Sequence, residues 1–108
     1  MIKSILTAAV MALFAALSVQ AEESKEIYDK QCAKCHGEDG KGETKMGTKM
    51  GAKDFTDPKV QDAMKDDAAF KAIKEGLKQD DKTLMKPFGD LSDDQIKALI
   101  TYIRAFKK

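Results

Sequence analysis

The chain has 108 residues, 34% of them charged and 43% hydrophobic, so it is long enough for one small domain and too short for several. Its formal net charge is +1, and removal of the basic residue in its first segment leaves 18 basic and 18 acidic side chains. Binding to nucleic acid requires a clear excess of basic side chains, so this balance argues against a nucleic-acid partner.

The first 21 residues predict a secretory signal peptide. They carry a single charge, Lys3, followed by an apolar run over residues 5–17, and they end in a small-residue pattern over residues 19–21. The run is shorter than the roughly 20 residues that span a bilayer, and no later segment is apolar enough to do so. We therefore expect cleavage after Ala21, export to the periplasm, and a mature domain over residues 22–108 without a membrane span.

The first half of the mature chain predicts one helix followed by a long loop. Apolar spacing favours a helix over residues 24–32, with Ser24 as its cap. Residues 37–53 contain five glycines and no apolar periodicity, which predicts a loop. The side chains expected on one face of the first helix are Ile27, Tyr28, Gln31 and Cys32.

Two shorter helices are predicted next. Asp57 and Pro58 fit a cap followed by the first helical residue. Either Asp66 or Asp67 should cap the following helix, which Gly76 weakens near its end. The apolar stripe of that helix consists of Phe70, Ile73 and Leu77, and the segment after it, over residues 78–90, predicts a polar loop.

The last helix has the clearest start signal. Ser92 and Gln95 fit a capping box, and Leu91 can pack on Ile96 as a hydrophobic staple. The expected fold is therefore all-α, with about four helices and no convincing strand. Few aromatic residues contribute to its core, so we expect a further group at the centre of the domain. The buried stripe of the last helix should consist of Ile96, Leu99, Ile100, Ile103 and Phe106.

The stretch CAKCH, residues 32–36, contains both cysteines and the only histidine. In a helical turn the thiols of Cys32 and Cys35 lie on one face, and His36 falls nearly on the same side. Two thiols at this spacing can form thioethers with the two vinyl groups of one haem edge, while the imidazole reaches the iron. We interpret the motif as the attachment site of one haem c.

Three other interpretations of these five residues are possible. A thiol-disulfide couple of thioredoxin type needs strands that this sequence does not predict. A zinc site needs a fourth ligand, and the chain has no further cysteine or histidine. A structural disulfide between Cys32 and Cys35 suits an oxidising compartment and is the plainest alternative. The adjacent His36, the helical pattern and the incomplete core favour haem attachment.

Essentially the whole mature region resembles the small class I cytochromes c of bacteria, and two segments carry the likeness most clearly. Residues 27–42, IYDKQCAKCHGEDGKG, resemble the opening helix of that family, with Tyr28 four residues before the first cysteine. Residues 84–106, LMKPFGDLSDDQIKALITYIRAF, resemble its closing half, which ends in a Leu-x-x-Tyr pattern, here Leu99 and Tyr102. The resemblance implies that the first and last helices cross, with Tyr28 near Leu99 and Tyr102.

The resemblance also implies that a methionine near a proline is the second axial ligand. Met85 lies 49 residues after His36, far enough for the chain to pass around a haem, in a predicted irregular loop that Pro87 stiffens. The competing methionines are Met46 and Met50, which follow His36 too closely, and Met64, which has the spacing of a core residue. We therefore predict His36 and Met85 as the iron ligands.

The chain departs from the family at two points. Where relatives have a proline directly after the methionine, this chain has Met85-Lys86-Pro87, with the proline one residue later. Many relatives use a proline carbonyl to accept a hydrogen bond from the second ring nitrogen of the ligating histidine, and no proline lies between His36 and Phe55. Partners of this kind orient metal-bound histidines. We expect a backbone carbonyl within residues 46–53 to take that role.

The resulting hypothesis is a soluble, monomeric periplasmic electron carrier that is not an enzyme. It would pass single electrons from a membrane-bound donor to a terminal oxidase or reductase. One alternative is a haem c subunit of a larger redox complex. Another is a sensor or peroxidase-like protein with an open sixth position, although no second histidine is present for acid-base chemistry. Lysines at positions 34, 41, 45, 49 and 53 are interleaved with acids, which favours a solvated loop over a basic docking ring.

Overall fold

The computed structural model describes residues 19–108, so most of the predicted signal peptide lies outside the described residues. Residues 19–27 are helical and lead directly into a π-helical turn, Tyr28–Cys32. Within the described range, no helix combines the length and the apolar character needed to cross a membrane.

The remaining elements are mostly helical, with one two-stranded antiparallel sheet. This sheet corrects the all-α expectation, and in the described part of the chain five α-helices come after the π turn, where about four helices were predicted in all. In chain order the elements are α1 (Ala33–His36), α2 (Lys45–Met50), α3 (Pro58–Ala63), α4 (Asp66–Glu75), β1 (Leu77–Gln79), β2 (Lys82–Met85) and α5 (Asp93–Arg104).

The first helix differs from its prediction at both ends. Ser24 is not a cap, because it is buried within the helical residues. In the π turn the N–H of Ala33 donates to the carbonyl of Tyr28, which adds one residue to the turn and rotates the helical residues after it. Gln31 is consequently exposed, although helical spacing placed it on the apolar face.

The loop predicted over residues 37–53 is wrong where α2 forms. The hydroxyl of Thr44 accepts a hydrogen bond from the N–H of Gly47 and caps the helix. Gly51 ends it in the left-handed region with φ 73°. The glycine content concealed a short helix that has an ordinary cap at each end.

The polar loop predicted over residues 78–90 is wrong where the hairpin forms. Asp80 and Asp81 have φ values of 51° and 67°, which makes a two-residue turn of the kind that joins antiparallel strands. Leu77, predicted on the stripe of α4, lies in β1 and is 47% exposed, because Gly76 ends α4 with φ 80°. Aspartate tolerates the left-handed region but predicts such a turn weakly.

Two of the predicted helix caps are confirmed by side-chain hydrogen bonds, and a third is wrong. Asp57 caps α3 with Pro58 as its first residue, as predicted. The capping box of Ser92 and Gln95 is confirmed, with bonds of 2.8 and 3.1 Å. The cap of α4 was wrong by one residue, since Lys65 holds the cap position and the two aspartates lie in the first turn, where they suit the helix dipole.

The core forms where the first helical segment meets α5. Ile96, Leu99, Ile100 and Ile103 are buried as predicted, and Phe106 is half-buried just beyond the helix end. Tyr28 is fully buried against this face. Its ring centroid lies 5.2 Å from that of Tyr102 and 5.2 Å from that of Phe106, which confirms the expected contact between the two ends of the chain.

Candidate functional site

The two cysteines lie at the junction of the π turn and α1. Both thiols are half-buried, and they are not joined by a disulfide. Burial raises the pKa of the Cys32 thiol to about 11, and the neighbouring Cys35 adds to the shift. An oxidoreductase of thioredoxin type needs the opposite, a thiol whose pKa is lowered. The environment of Cys32 therefore does not suit that alternative.

The imidazole of His36 is held by an aromatic ring. It stacks on Phe55 with the ring centroids 4.5 Å apart and an angle of 22° between the planes. Its Nδ1 atom is buried and forms no hydrogen bond. Burial lowers the pKa of His36, and the nearby backbone of Lys53 opposes this shift without completing a hydrogen bond to Nδ1. Lys53 lies at the end of the range in which the partner of this nitrogen was expected.

The segment after the motif supplies hydrogen-bond donors to the backbone carbonyls of α1. The last four carbonyls of a helix have no partner within the helix. The N–H groups of Gly37 and Gly42 donate to the carbonyls of Ala33 and His36, each at 2.8 Å. The hydroxyl of Thr44 lies 2.8 Å from the two remaining carbonyl oxygens, those of Lys34 and Cys35.

Two more contacts hold this segment against the helices. The hydroxyl of Tyr28 donates to the carbonyl of Gly37 at 2.7 Å, in a buried position. Gly47, in α2, packs directly on the carbonyl oxygen of Cys35, where a Cβ atom would overlap it. The cysteine and histidine side chains are therefore presented by a backbone that is bonded on both sides.

Met85 is the last residue of β2 and not part of an irregular loop, which corrects the prediction. It is half-buried, packs against the core and pairs with Leu77 of β1. The register shifts next to this pair, since Lys78 faces Thr83 and Leu84 is the extra residue of a bulge. Bulges redirect side chains at the ends of strands, and this one lies immediately before Met85.

The backbone around Met85 is held by the end of α4. Gly76 lies so close that a Cβ atom would be 2.6 Å from the carbonyl oxygen of Met85. Directly after Pro87, the N–H of Phe88 donates to the carbonyl of Ile73 at 2.9 Å. Of the competing methionines, Met64 is half-buried against the core, as its spacing predicted.

Several residues that support the site were not singled out from the sequence. Thr44 and Gly47 carried a usable signal, because a threonine cap and a closing Gly51 bracket a short helix. Gln61 and Phe55 carried no such signal. Gln61 bonds to Ile103, 42 residues away, and Phe55 stacks on His36, 19 residues away. Only the tertiary structure brings them to His36 and α5.

Comparisons with known proteins point to one family. Residues 19–103 match the family described as "Cytochrome C oxidase, cbb3-type, subunit III". Among solved structures, the c-type cytochrome KustC0563 is 34% identical, with a TM-score of 0.69, and the match covers 79% of this chain and 98% of that one. A Kustc0563 mutant in which phenylalanine replaces a tyrosine is 31% identical, with a TM-score of 0.67 over 79% and 99% of the two chains. No curated protein gives a significant match.

The family match covers well over half of the chain, and the likeness to a c-type cytochrome covers nearly the whole of that structure. The family resemblance noted in the sequence is therefore confirmed, and the chain has the small cytochrome c fold with a short hairpin in it. Membership implies covalently bound haem c and redox partners. The chain belongs to the cytochrome c family, as a small monohaem c-type cytochrome that transfers electrons.

Proposed function

We propose that this protein is a soluble periplasmic single-electron carrier with one haem c. Cys32 and Cys35 hold the haem covalently, His36 is one axial ligand of its iron and Met85 is the other. The haem supplies a one-electron couple, and a thioether ligand favours its ferrous form. The observation that carries the proposal is the pair of unbonded thiols next to a half-buried imidazole whose buried Nδ1 atom is left unpaired.

The residues present fit a haem on three counts. The two thiols are free to form thioethers, because no disulfide joins them. The lowered pKa of His36 corresponds to the neutral imidazole that binds metals. The backbone of Lys53 opposes the lowering of the His36 pKa by burial, so it lies near the imidazole and is the candidate for the hydrogen bond that ligating histidines usually make.

The protein's own residues explain why transfer of electrons is favoured over catalysis. A peroxidase-like or gas-binding site needs an open position and an acid-base group, and His36 is the only histidine of the chain. Met85 lies on a strand that is bonded to β1 and held by α4, so its backbone does not move aside freely. We infer transient contacts with a membrane-bound donor and with a terminal oxidase or reductase.

The first experiment is a visible spectrum of the protein matured in an export-competent host, oxidised and reduced. Covalent haem predicts colour that remains after extraction with acid acetone. Cys32→Ala combined with Cys35→Ala should leave little holoprotein, because the cofactor forms part of the core. A well-folded, colourless wild-type protein would contradict the proposal and favour the disulfide interpretation.

A second experiment tests the axial methionine. Met85→Ala should abolish the weak sulfur-to-iron charge-transfer band, lower the reduction potential and allow imidazole or carbon monoxide to bind. Met64→Ala is the matched control, since Met64 is also half-buried against the core. Met46→Ala and Met50→Ala complete the set. Retention of the band in Met85→Ala, with its loss in one of the other three, would assign the ligand elsewhere.

A second candidate function is that of a haem c subunit in a larger redox complex. The description of the matching family, which names an oxidase subunit, favours it. Gel filtration of native periplasmic extract separates the two, because a free carrier elutes as a small monomer. Sequencing of the mature N-terminus tests export in the same preparation, with Glu22 expected as the first residue.

A further inference from the structure

Gln61 is a buried polar residue with every side-chain group paired. It lies in α3 and is 4% exposed. Its amide nitrogen donates to the carbonyl of Phe55 at 2.7 Å and to that of Ile103 at 2.9 Å. Its side-chain oxygen accepts from Arg104 at 3.1 Å. A buried polar group with all its partners stiffens the segments that it joins, here the loop before α3 and the end of α5.

Phe55 is the residue through which Gln61 reaches the neighbourhood of His36. The N–H of Phe55 donates to the carbonyl of Gly40 at 2.7 Å, and its own carbonyl accepts from Gln61. Its backbone is therefore bonded on both sides. The ring of Phe55 is buried and lies parallel to the imidazole of His36 to within 22°. The stack covers one face of the imidazole, so it restricts rotation of the His36 ring.

Arg104 holds Gln61 from the opposite side. One guanidinium nitrogen donates to the backbone carbonyl of Gln61 at 2.6 Å, and the other donates to the carbonyl of Met64 and pairs with Asp66 at 2.7 Å. The side chain of Asp66 is 78% exposed, so this ion pair contributes little by itself. The position of the Arg104 side chain matters more. Through Met64 and Asp66 it links the end of α5 to both ends of the turn between α3 and α4.

We propose that Gln61 is a positioning residue for the axial histidine. It holds the backbone of Phe55 so that the Phe55 ring fixes the plane of the His36 imidazole. The inference rests on the proposed function, in which His36 ligates the haem iron. Gln61 forms its hydrogen bonds with Phe55, Ile103 and Arg104 and none with His36, so it acts on the imidazole through Phe55.

The test measures the imidazole plane and not only stability. In the oxidised holoprotein, the spread and order of the haem ring-methyl proton resonances depend on the orientation of the axial imidazole. Gln61→Met removes all three side-chain hydrogen bonds at similar volume and should change that pattern, while the visible spectrum still reports an axial histidine. Gln79→Met is the matched control, because Gln79 is exposed on β1.

A second variant keeps the test decisive if Gln61→Met does not fold. Phe55→Leu preserves the backbone bonds to Gly40 and Gln61 and removes the stacked ring, so it should change the same resonances. An unchanged methyl pattern in every folded variant of Gln61 and Phe55 would overturn the inference. A wild-type spectrum without a histidine-ligated haem would instead overturn the proposed function, and the inference with it.

Discussion

The two proposed iron ligands lie in regions that are built in different ways. His36 ends a helix whose last four carbonyl oxygens each lie within hydrogen-bond distance of a donor, and its half-buried ring is stacked on Phe55. Met85 ends a short strand of a hairpin whose other residues are mostly exposed. The difference suggests a rigid anchor on one side and a more easily displaced ligand on the other, since exposed backbone hydrogen bonds open more readily.

The hairpin is nevertheless held at one point. The Leu77 and Met85 pair, the close approach of Gly76 and the bond from Phe88 to Ile73 all lie at its base. The turn at Asp80 and Asp81 is farthest from these contacts. Opening of the hairpin should therefore begin at the turn and reach Met85 last.

The largest expected effect is on the histidine side. Gly47→Ala places a Cβ atom into the carbonyl oxygen of Cys35 and within 2.7 Å of that of Gly42, both backbone atoms that are held in place by their neighbours. We expect a loss of about 3 kcal/mol in the free energy of unfolding, and little holoprotein. Denaturant unfolding measures it. Gly51→Ala is the control, because nothing lies within 4 Å and only its positive φ costs about 1 kcal/mol. Equal losses in the two variants would contradict this expectation.

A smaller effect is expected on the methionine side. In Gly76→Ala the new Cβ atom would sit at a φ of 80° and 2.6 Å from the carbonyl oxygen of Met85. We expect the free energy of unfolding to fall by about 2 kcal/mol. β2 should shift, so the charge-transfer band weakens and imidazole binds more readily. Gly89→Ala is the control, because its nearest neighbour, the carbonyl oxygen of Lys74, lies 3.9 Å away. An unchanged affinity for imidazole in Gly76→Ala would show that this contact does not hold Met85.

The third prediction concerns Tyr28, whose hydroxyl bonds to the carbonyl of Gly37 directly after His36. Tyr28→Phe removes the buried hydrogen bond to Gly37 and leaves that carbonyl without the phenolic donor, which should cost about 1–2 kcal/mol. Tyr102→Phe leaves this bond intact and is the control. Thermal unfolding of the holoproteins measures both. A Tyr28→Phe variant as stable as the wild type would show that the bond contributes nothing net.

The same tyrosine predicts a pH dependence. Burial is the main cause that raises the pKa of Tyr28 above its usual value. The folded protein therefore holds the phenolic proton after the unfolded chain has lost it, and stability falls as the pH rises above the unfolded value of about 10. Tyr28→Phe should lose that part of the alkaline decrease. Unfolding midpoints at about pH 8 and at pH values above about 10 give the comparison.

The smallest expected effect strengthens the weaker region. Asp80→Asn with Asp81→Gly supplies the residues that this two-residue turn prefers, and should stabilise the hairpin by about 0.5–1 kcal/mol. Hydrogen exchange at the strand amides should slow, and imidazole should bind less readily. Asp80→Ala with Asp81→Ala should act in the opposite direction. If hydrogen exchange at the strand amides were unchanged in both variants, the turn would not control the opening of the hairpin around Met85.

Local patterns in the sequence were enough to predict much of this protein. The spacing within residues 32–36, the capping box at Ser92 and the stripe of α5 each depend on neighbours within one or two turns. The contact between Tyr28 and Tyr102 came from the family resemblance and is confirmed by the ring distances. The family itself is confirmed by the match over residues 19–103.

Tertiary structure decided what those patterns could not. Gln61 reads as an ordinary polar helix residue, and it is buried because Phe55, Ile103 and Arg104 converge on its amide from other segments. Gly47 was predicted in a loop and Gly76 near the end of a helix, and each is required because a carbonyl oxygen of another segment lies where a side chain would be. Pairing across a hairpin moved Met85 from a predicted loop onto a strand. The contacts of Gln61, Gly47 and Gly76 depend on close packing between separate segments, which local spacing does not encode. The hairpin depends on a turn that its two aspartates predict only weakly.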